Sequence, residues 1–399
     1  MRQINKVFYR KIPLPIKVKK PVLAVGSQTK NTLCFAKGNF AYLSPAHPDL
    51  SNPQDFLNFE KELKHFLKKN PKIIAYDLHP EYQSTKHALS LRATNYELRA
   101  IQHHHAHIAS CMAENGLKNQ KVIGVAFDGT GLGSDNRIWG AEFLVCDYKS
   151  FNRSAHLKEI PLLGAQKAIL EPWRLAAIWL YLIYKERFLN LGINFVKGLD
   201  KLPWQALKSM YLSDFNCPLA SSMGRLFDAA ASLVLAKYKV SAEAELAMEL
   251  EKIAIRYKLY AISYPFMVIK DKNKYIIDPA PMFKEIIMDL KAGEAKEKIA
   301  YRFHLTVAQM IVKTCLALRR KNNIVTVVLS GGVFQNSLLH RLSLDLLYSQ
   351  GFQVLSQHKL SCNDSGVSLG QAVIAGYHPE RRGQGMSVNT YGASKRIIL

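Results

Sequence analysis

No two cysteines of this chain stand in a C-x-x-C pair. The six (Cys34, Cys111, Cys146, Cys217, Cys315 and Cys362) are scattered over 399 residues. That pattern excludes a zinc ribbon and a disulfide scaffold, and it fits a reducing compartment. Also missing is any apolar run approaching the roughly 20 residues that span a bilayer. The longest candidate, AAIWLYLIY at 176–184, reads as a buried core helix. The first residues are basic (Arg2, Lys6, Arg10, Lys11, Lys17, Lys19, Lys20) but lack the apolar stretch of a secretory signal. A cytoplasmic protein without membrane association is expected. Acidic residues are scarce, 31 against 54 Lys and Arg, for a formal net charge of +23. A nucleic-acid or acidic protein partner would suit that surplus. No aromatic-interleaved basic motif supports the nucleic-acid reading, and a lysine-rich solvated surface is the plainer one. What is present in quantity is core material. The chain is 48% hydrophobic and 10% aromatic, which excludes a disordered protein and allows two or three packed units.

Periodicity and punctuation predict strands alternating with helices, and hence an α/β fold with mixed sheets. Residues 1–20 are expected to form a basic arm. A strand is expected at 21–27, and a hairpin over 32–43 turning at Lys37-Gly38-Asn39. A helix at 53–70, a buried strand at 73–78 ending in an acid, a helix near 82–92 and a strand near 97–102 follow. A second strand series opens at 122–129 and is answered at 139–145. The stretch from about 172 to 258 reads as an inserted helical layer. A strand entering a glycine turn (324–332), a helix (333–351), a strand (352–355) and a last helix (365–377) close the pattern. The order of elements hints at a duplicated unit. Residues 379–399 are expected to be a basic, loosely ordered tail.

Four motifs carry chemistry. In HHHAHIAS (103–110), His103 and His107 lie four residues apart, which places both imidazoles on one helical face. H-x-x-x-H is common by chance, but four histidines in five positions are not. No glutamate stands between the pair, so it is not a zincin motif. Two imidazoles need carboxylates from elsewhere, and Asp128 and Asp364 are the natural candidates, suiting iron, zinc or manganese. DGTGLG (128–133) would let backbone N–H groups approach phosphate oxygens; an ordinary β-turn is the alternative. LSGGVFQN (329–336) puts a glycine pair before a helix start, where adenine, ribose or phosphate can bind, or where the chain merely turns. In SSMGRLFDAAASLV (221–234), Gly224 permits close approach, and Arg225 and Asp228 share a helical face, either for a ligand or as an internal salt bridge. EPWR (171–174) reads as a helix start.

Together these stretches, with LAVGSQTKNTLCFA, DLHPEYQST and NDSGVSLGQAVIAG, resemble the C-terminal half of the HypF family. Members of that family are carbamoyltransferases of nickel–iron hydrogenase maturation. The matches run in order from about 22 to 376. The same architecture resembles threonylcarbamoyl-transferases of tRNA modification and antibiotic O-carbamoyltransferases. The resemblance implies a two-lobed actin-like fold (ASKHA, RNase H-like) with lobes at 21–118 and 119–378, the second bearing the helical insertion. It implies a cleft that binds carbamoyl-adenylate, or the ATP or AMP related to it, beside a divalent metal held by His103, His107, Asp128 and Asp364. By matched position, Gly129, Thr130, Gly131, Gly224, Asp228, Glu243, Gly332 and Asn336 surround the nucleotide, and His79 is a cleft residue. The implied acceptor is the C-terminal cysteine of a HypE-like protein. That thiolate comes from the partner, in keeping with the lack of a Cys-His signature here.

The chain departs from the family at several places. None of its stretches resembles the family's acylphosphatase, zinc-finger or adenylate-forming segments, and a separate adenylate-forming protein is expected as a partner. Gly26-Ser27-Gln28 stands where GGE is expected, and His47-Pro48-Asp49 where IGD is expected. Gly164-Ala165-Gln166 replaces GGD, Glu243-Ala244 replaces an EG pair, and Leu305 replaces an asparagine. The metal motif is intact, whereas the changes fall in the cleft. Three other readings therefore stand beside the carbamoyltransferase. They are a non-catalytic module binding nucleotide and a partner, a tRNA threonylcarbamoyl-type transferase, and a sugar kinase.

Overall fold

Two mixed sheets enclose a layer of two helices in the computed structural model, which describes residues 9–377 apart from Thr94 and Lys258. The first sheet is built from β1 (Arg10–Ala24), β3 (Cys34–Leu43), β5 (Ile73–Asp77) and β6 (Glu97–Ile101) in the order β3-β1-β5-β6. β2 (Thr29–Asn31) and β4 (His47–Asp49) form a separate small ribbon. β1 is antiparallel to β3 and parallel to β5, with β6 parallel beyond it. Parallel neighbours need crossovers; α1 (Pro53–Leu67) and α2 (Gln83–Ser90) supply them, and α3 (His103–Glu114) follows β6 directly.

The second sheet repeats this plan on a larger scale. β7 (Val122–Leu132) pairs antiparallel with β8 (Ile138–Cys146), which pairs with β9 (Phe151–Leu157). β10 (Ile160–Pro161) is a short edge piece. Helices α4 (Lys167–Leu170), α5 (Trp173–Tyr184), α6 (Asn194–Lys197) and α7 (Trp204–Leu212) then leave the sheet, and β11 (Leu219–Ser222) returns to it. α8 (Met223–Leu235) and α9 (Glu245–Ala254) precede the hairpin β12 (Met267–Asp271) and β13 (Lys274–Asp278). Two long helices follow, α10 (Ala280–Lys291) and α11 (Lys296–Asn322). β14 (Thr326–Ser330), α12 (Ser337–Ser349), β15 (Gln353–Ser356) and α13 (Val367–Tyr377) end the described chain. The main path of the sheet is β12-β13-β9-β8-β7-β14-β15, and β14 and β15 run parallel to β7. In both sheets a strand with an antiparallel neighbour on one side gains parallel strands on the other. That is the duplication hinted at by the order of elements.

α3 and α13 fill the space between the sheets. One apolar cluster joins Val18, Val22 and Ala75 of the first sheet, Ile108 and Met112 of α3, Val373 of α13, and Ala126 and Val328 of the second sheet. All twelve residues of α3 are buried. The helices cross so closely that a Cβ on Gly370 would lie 1.8 Å from the carbonyl oxygen of Ala106. Among the described residues no helix is long and apolar enough to cross a membrane.

Four expectations need correction. Residues 10–20 are not an arm but the first part of β1, because Ile12, Leu14 and Val18 alternate inward between exposed charges. Residues 32–43 do not fold back at Lys37-Gly38-Asn39. They run on as one strand paired with β1, and Gly38, at φ +60°, sits opposite Val18 where the register shifts. The helical layer at 172–258 is interrupted by β11, which pairs with β8 and is too short to show alternation. The last helix, expected in the second lobe, packs against β1 and α3. The expected tail at 379–399 and residues 1–8 lie outside the described residues.

Candidate active-site cleft

A cavity of about 880 Å³ opens between the sheets' edges. One wall carries Gln28, Lys30, His79 and Tyr82, and the floor is the bulged part of β7. Between Phe127 and Gly131 the pairing with β8 slips by two residues. This bulge turns Asp128 out of the ladder. Ser222, the N-cap of α8, holds the bulge by donating its hydroxyl to the carbonyls of Asp128 (3.1 Å) and Gly129 (2.5 Å).

Behind Asp128 lies the first turn of α3, capped by the side chain of Gln102, which accepts from the N–H of His105 at 2.9 Å. The four histidines go to three places. His103 donates from Nδ1 to Oδ2 of Asp77, the last residue of β5, at 2.8 Å. Its Nε2 then faces Oδ2 of Asp128 at 3.3 Å and Oδ1 of Asp364 at 3.7 Å. His107 brings Nε2 to 3.1 and 3.6 Å from the same two oxygens. His104 turns away, its Nδ1 accepting from Gln102 at 3.1 Å. His105 reaches the carbonyl of Asp147 at 2.6 Å. One donor atom from each of His103, His107, Asp128 and Asp364 falls within 4.8 Å of all the others. Two imidazole nitrogens and two carboxylate oxygens are a set that zinc, iron or manganese accepts. Asp77 is the outer carboxylate that fixes the imidazole tautomer in such sites.

The charges reinforce one another. Burial alone would push His103 down, but Asp77, Asp364 and Asp128 hold it well above the ordinary histidine value. His107 is raised against the same burial by hydrogen bonds to Asp128 and Asp364. Burial would raise both carboxyls; the histidines instead hold Asp128 well below the usual range and Asp364 at about 2. At neutral pH the cluster therefore pairs two carboxylates with imidazoles that favour the proton, which a binding metal would displace.

Farther along the cleft, Arg225 of α8 lies 2.9 Å from Asp228 and 3.0 Å from Glu243. The Arg225–Asp228 approach lacks hydrogen-bond alignment. Nη1 of Arg225 and Oδ2 of Asp228 have no hydrogen-bond partner although both are buried. Burial, only partly opposed by Arg225, pushes the Asp228 carboxyl up to about 6. Space here is tight. A Cβ on Gly224 would lie 2.9 Å from Cα of Gly129, and one on Gly129 would lie 2.6 Å from Glu243.

Similarity to known proteins extends over most of the chain. Residues 17–114 match the family model described as the HypF Kae1-like domain. Residues 124–371 match the one described as carbamoyltransferase, Kae1-like domain, second subdomain. The chain belongs to the HypF family of carbamoyltransferases. A carbamoyltransferase HypF homolog of Cupriavidus necator is 34% identical over 368 residues, which is 90% of this chain and 92% of that protein. Carbamoyltransferase HypF of Rhodobacter capsulatus is 34% identical over 91% of this chain but only 48% of its own length. A crystal structure of full-length HypF in the phosphate- and nucleotide-bound form superposes with a TM-score of 0.84. It is 40% identical and covers 92% of this chain and 57% of that one. The chain thus spans about half the length of the longer HypF relatives it matches.

All eight positions expected around a nucleotide, Gly129, Thr130, Gly131, Gly224, Asp228, Glu243, Gly332 and Asn336, line the one cavity, as does His79. Asn336 is engaged as the N-cap of α12. Its Oδ1 accepts from the N–H of Leu339 at 2.8 Å and its Nδ2 meets Nε2 of His304 at 3.0 Å. Nδ1 of His79 accepts from the N–H of Glu81 at 3.3 Å, leaving Nε2 as a donor, and the ring stacks on Tyr82 at 4.3 Å. EPWR does more than start a helix. Glu171 pairs with Arg174, which also donates to the carbonyl of Leu163 at 3.0 Å.

Two of the positions expected to depart from the family pattern have left-handed backbone. Ala165 and Ala244, standing where the family pattern expects glycine, have φ of +51° and +62°. Both keep the left-handed turn that glycine would take, at a cost of roughly 1–2 kcal/mol each. Gln28, in place of an expected glutamate, donates to Asp49 at 3.3 Å and accepts from the N–H of Gln83 at 2.8 Å. A glutamate there would face Asp49 with like charge. Sequence reasoning did not single out Asp77 or His304. Asp77 had a signal, an acid closing a buried strand; His304, deep in α11, had none.

Proposed function

We propose that this chain transfers a carbamoyl group from carbamoyl-adenylate to the C-terminal cysteine of a HypE-like protein, acting with a separate adenylate-forming partner. The observation that carries the reading is the pairing, in one cleft, of the His103–His107–Asp128–Asp364 cluster with the glycine-lined bulge at 128–131. In this reading those four residues hold a divalent metal, which polarises the carbonyl and neutralises phosphate charge when bound. N–H groups of the bulge face the phosphate. Asp228, whose Oδ2 lacks a hydrogen bond, and Glu243 receive sugar hydroxyls, and the turn from Gly332 to Asn336 borders the base. His79, held as an Nε2 donor, hydrogen-bonds the carbamoyl oxygen as negative charge grows there. The acceptor thiolate attacks the carbonyl carbon, the carbon–oxygen bond to phosphate breaks, and AMP departs with that electron pair. A HypF crystal structure similar to this chain is described as phosphate- and nucleotide-bound, which supports the nucleotide part of this reading.

The test supplies the purified protein with carbamoyl-adenylate and a HypE-like acceptor. Mass spectrometry should find carbamoyl on the terminal cysteine, and His103→Ala with His107→Ala should abolish it along with bound metal. Nucleotide binding without transfer would favour the non-catalytic module. Unchanged metal content in the double variant would remove the ligand assignment.

A further inference from the structure

We infer that Glu114 is a positioning residue that holds the loop carrying Asp364 in register with the two histidines. The inference rests on reading the four-residue cluster as a metal site. Glu114 is the last residue of α3 and is 2% exposed. Its carboxylate crosses to the segment after β15. Oε1 accepts from the N–H groups of His358 (2.7 Å) and Lys359 (3.2 Å), and Oε2 from that of Leu360 (2.9 Å). Three consecutive backbone donors on one buried carboxylate make a charge-assisted clamp. Its neighbours extend it. The Asn115 amide donates to the carbonyl of Ser356 at 3.1 Å, and Nζ of Lys359 donates to the Glu114 carbonyl at 3.3 Å. At the far end of the loop, the carbonyl of Cys362 accepts from the N–H of Gly331 at 3.0 Å. Asp364 comes two residues later. A single buried helix therefore carries His103 and His107 at one end and clamps the Asp364 loop at the other. Because α3 is buried along its whole length, that clamp holds the Asp364 loop to the helix at one end, while Thr32, donating to the carbonyl of Ser365 at 2.8 Å, holds it at the other.

Glu114→Gln keeps the shape but replaces one acceptor oxygen with an amide N–H that opposes the backbone donors. Zinc affinity, measured by chelator competition, is compared with AMP affinity for the wild type, Glu114→Gln, Glu114→Asp and His107→Ala. We expect Glu114→Gln to weaken zinc binding about 10-fold with AMP affinity within about twofold of wild type. Glu114→Asp, which keeps the charge on a shorter arm, should fall between them and serves if the Gln variant does not fold. Wild-type zinc affinity in both Glu114 variants would overturn the proposal and leave the metal reading intact. A parallel loss of zinc and AMP binding would mark a merely structural residue and also overturn it. Wild-type zinc affinity in His107→Ala would instead overturn the metal reading, and this proposal with it.

Discussion

Asp77→Asn tests how the site's geometry is enforced. The Asp77 carboxylate is fully buried, and each of its oxygens has one duty. Oδ2 accepts from Nδ1 of His103 at 2.8 Å, and Oδ1 accepts from the N–H of His79 at 3.0 Å. Asparagine has the same shape but one acceptor. If its amide faces His103, the imidazole must move its proton to Nε2, the atom that points at Asp128 and Asp364. If it faces His79, the buried backbone N–H there loses its partner. Either way one buried group is mismatched, which costs roughly 1–3 kcal/mol. The first arrangement also removes the His103 lone pair from the metal. Outer-shell carboxylates of this kind contribute 10- to 100-fold in metal affinity, equal to about 1.4–2.8 kcal/mol. The expected result is a zinc dissociation constant raised at least 10-fold in a chelator competition, with transfer to the acceptor falling in parallel. Zinc affinity within twofold of wild type would refute the argument that Asp77 fixes the tautomer.

Other substitutions probe the frame around the site. Ala244→Gly should raise the urea midpoint, because relief of the left-handed alanine outweighs the added freedom of the unfolded chain, for a gain of up to ~1 kcal/mol; a fall would show that the strain is not there. Gly370→Ala should cost about 3 kcal/mol or more and weaken zinc binding, since its Cβ would meet the Ala106 carbonyl 1.8 Å away and push α3 aside. Unchanged thermal stability would contradict that crossing. Burial holds His304 at about 4 against 6.5 for an exposed histidine, with only partial opposition from the Ala300 carbonyl. The unfolded chain therefore takes up a proton that the native one refuses. His304 contributes stability above pH 6.5 that is lost as pH falls through about 4, on the order of 3 kcal/mol. Urea titrations of the wild type should show that decline, and His304→Gln should flatten it; parallel profiles would count against it.

Much of this was legible locally. The helix bearing His103 and His107 follows from spacing, since residues four apart on a helix share a face whatever surrounds them. The glycine-rich stretch at 128–133 was visible as a candidate phosphate loop after an apolar run, but its form, a bulge inside one continuous strand, was not. Other expectations failed where partners decide the outcome. Lys37-Gly38-Asn39 has turn chemistry, yet β1 is long enough to pair along the whole of β3. The basic residues of 10–20 suggested an arm, yet three alternating aliphatic side chains were enough to bury one face. LASS at 219–222 carries no period, and only the stretch of β8 that β9 leaves unpaired, Ile138 to Gly140, makes it a strand.

The sequence by itself determined an α/β chain with no apolar run of the length that spans a bilayer, a two-histidine face on one helix, and glycines where backbone must come close. These follow from composition and from contacts between near neighbours in the chain. That His103 and His107 come within reach of both Asp128 and Asp364 was decided only by the tertiary structure. So were the tautomer held by Asp77 and the clamp from Glu114 to the 358–360 loop. Each of these joins residues more than 20 positions apart. Only the pairing of strands and the packing of α3 between two sheets brings such groups within hydrogen-bond distance.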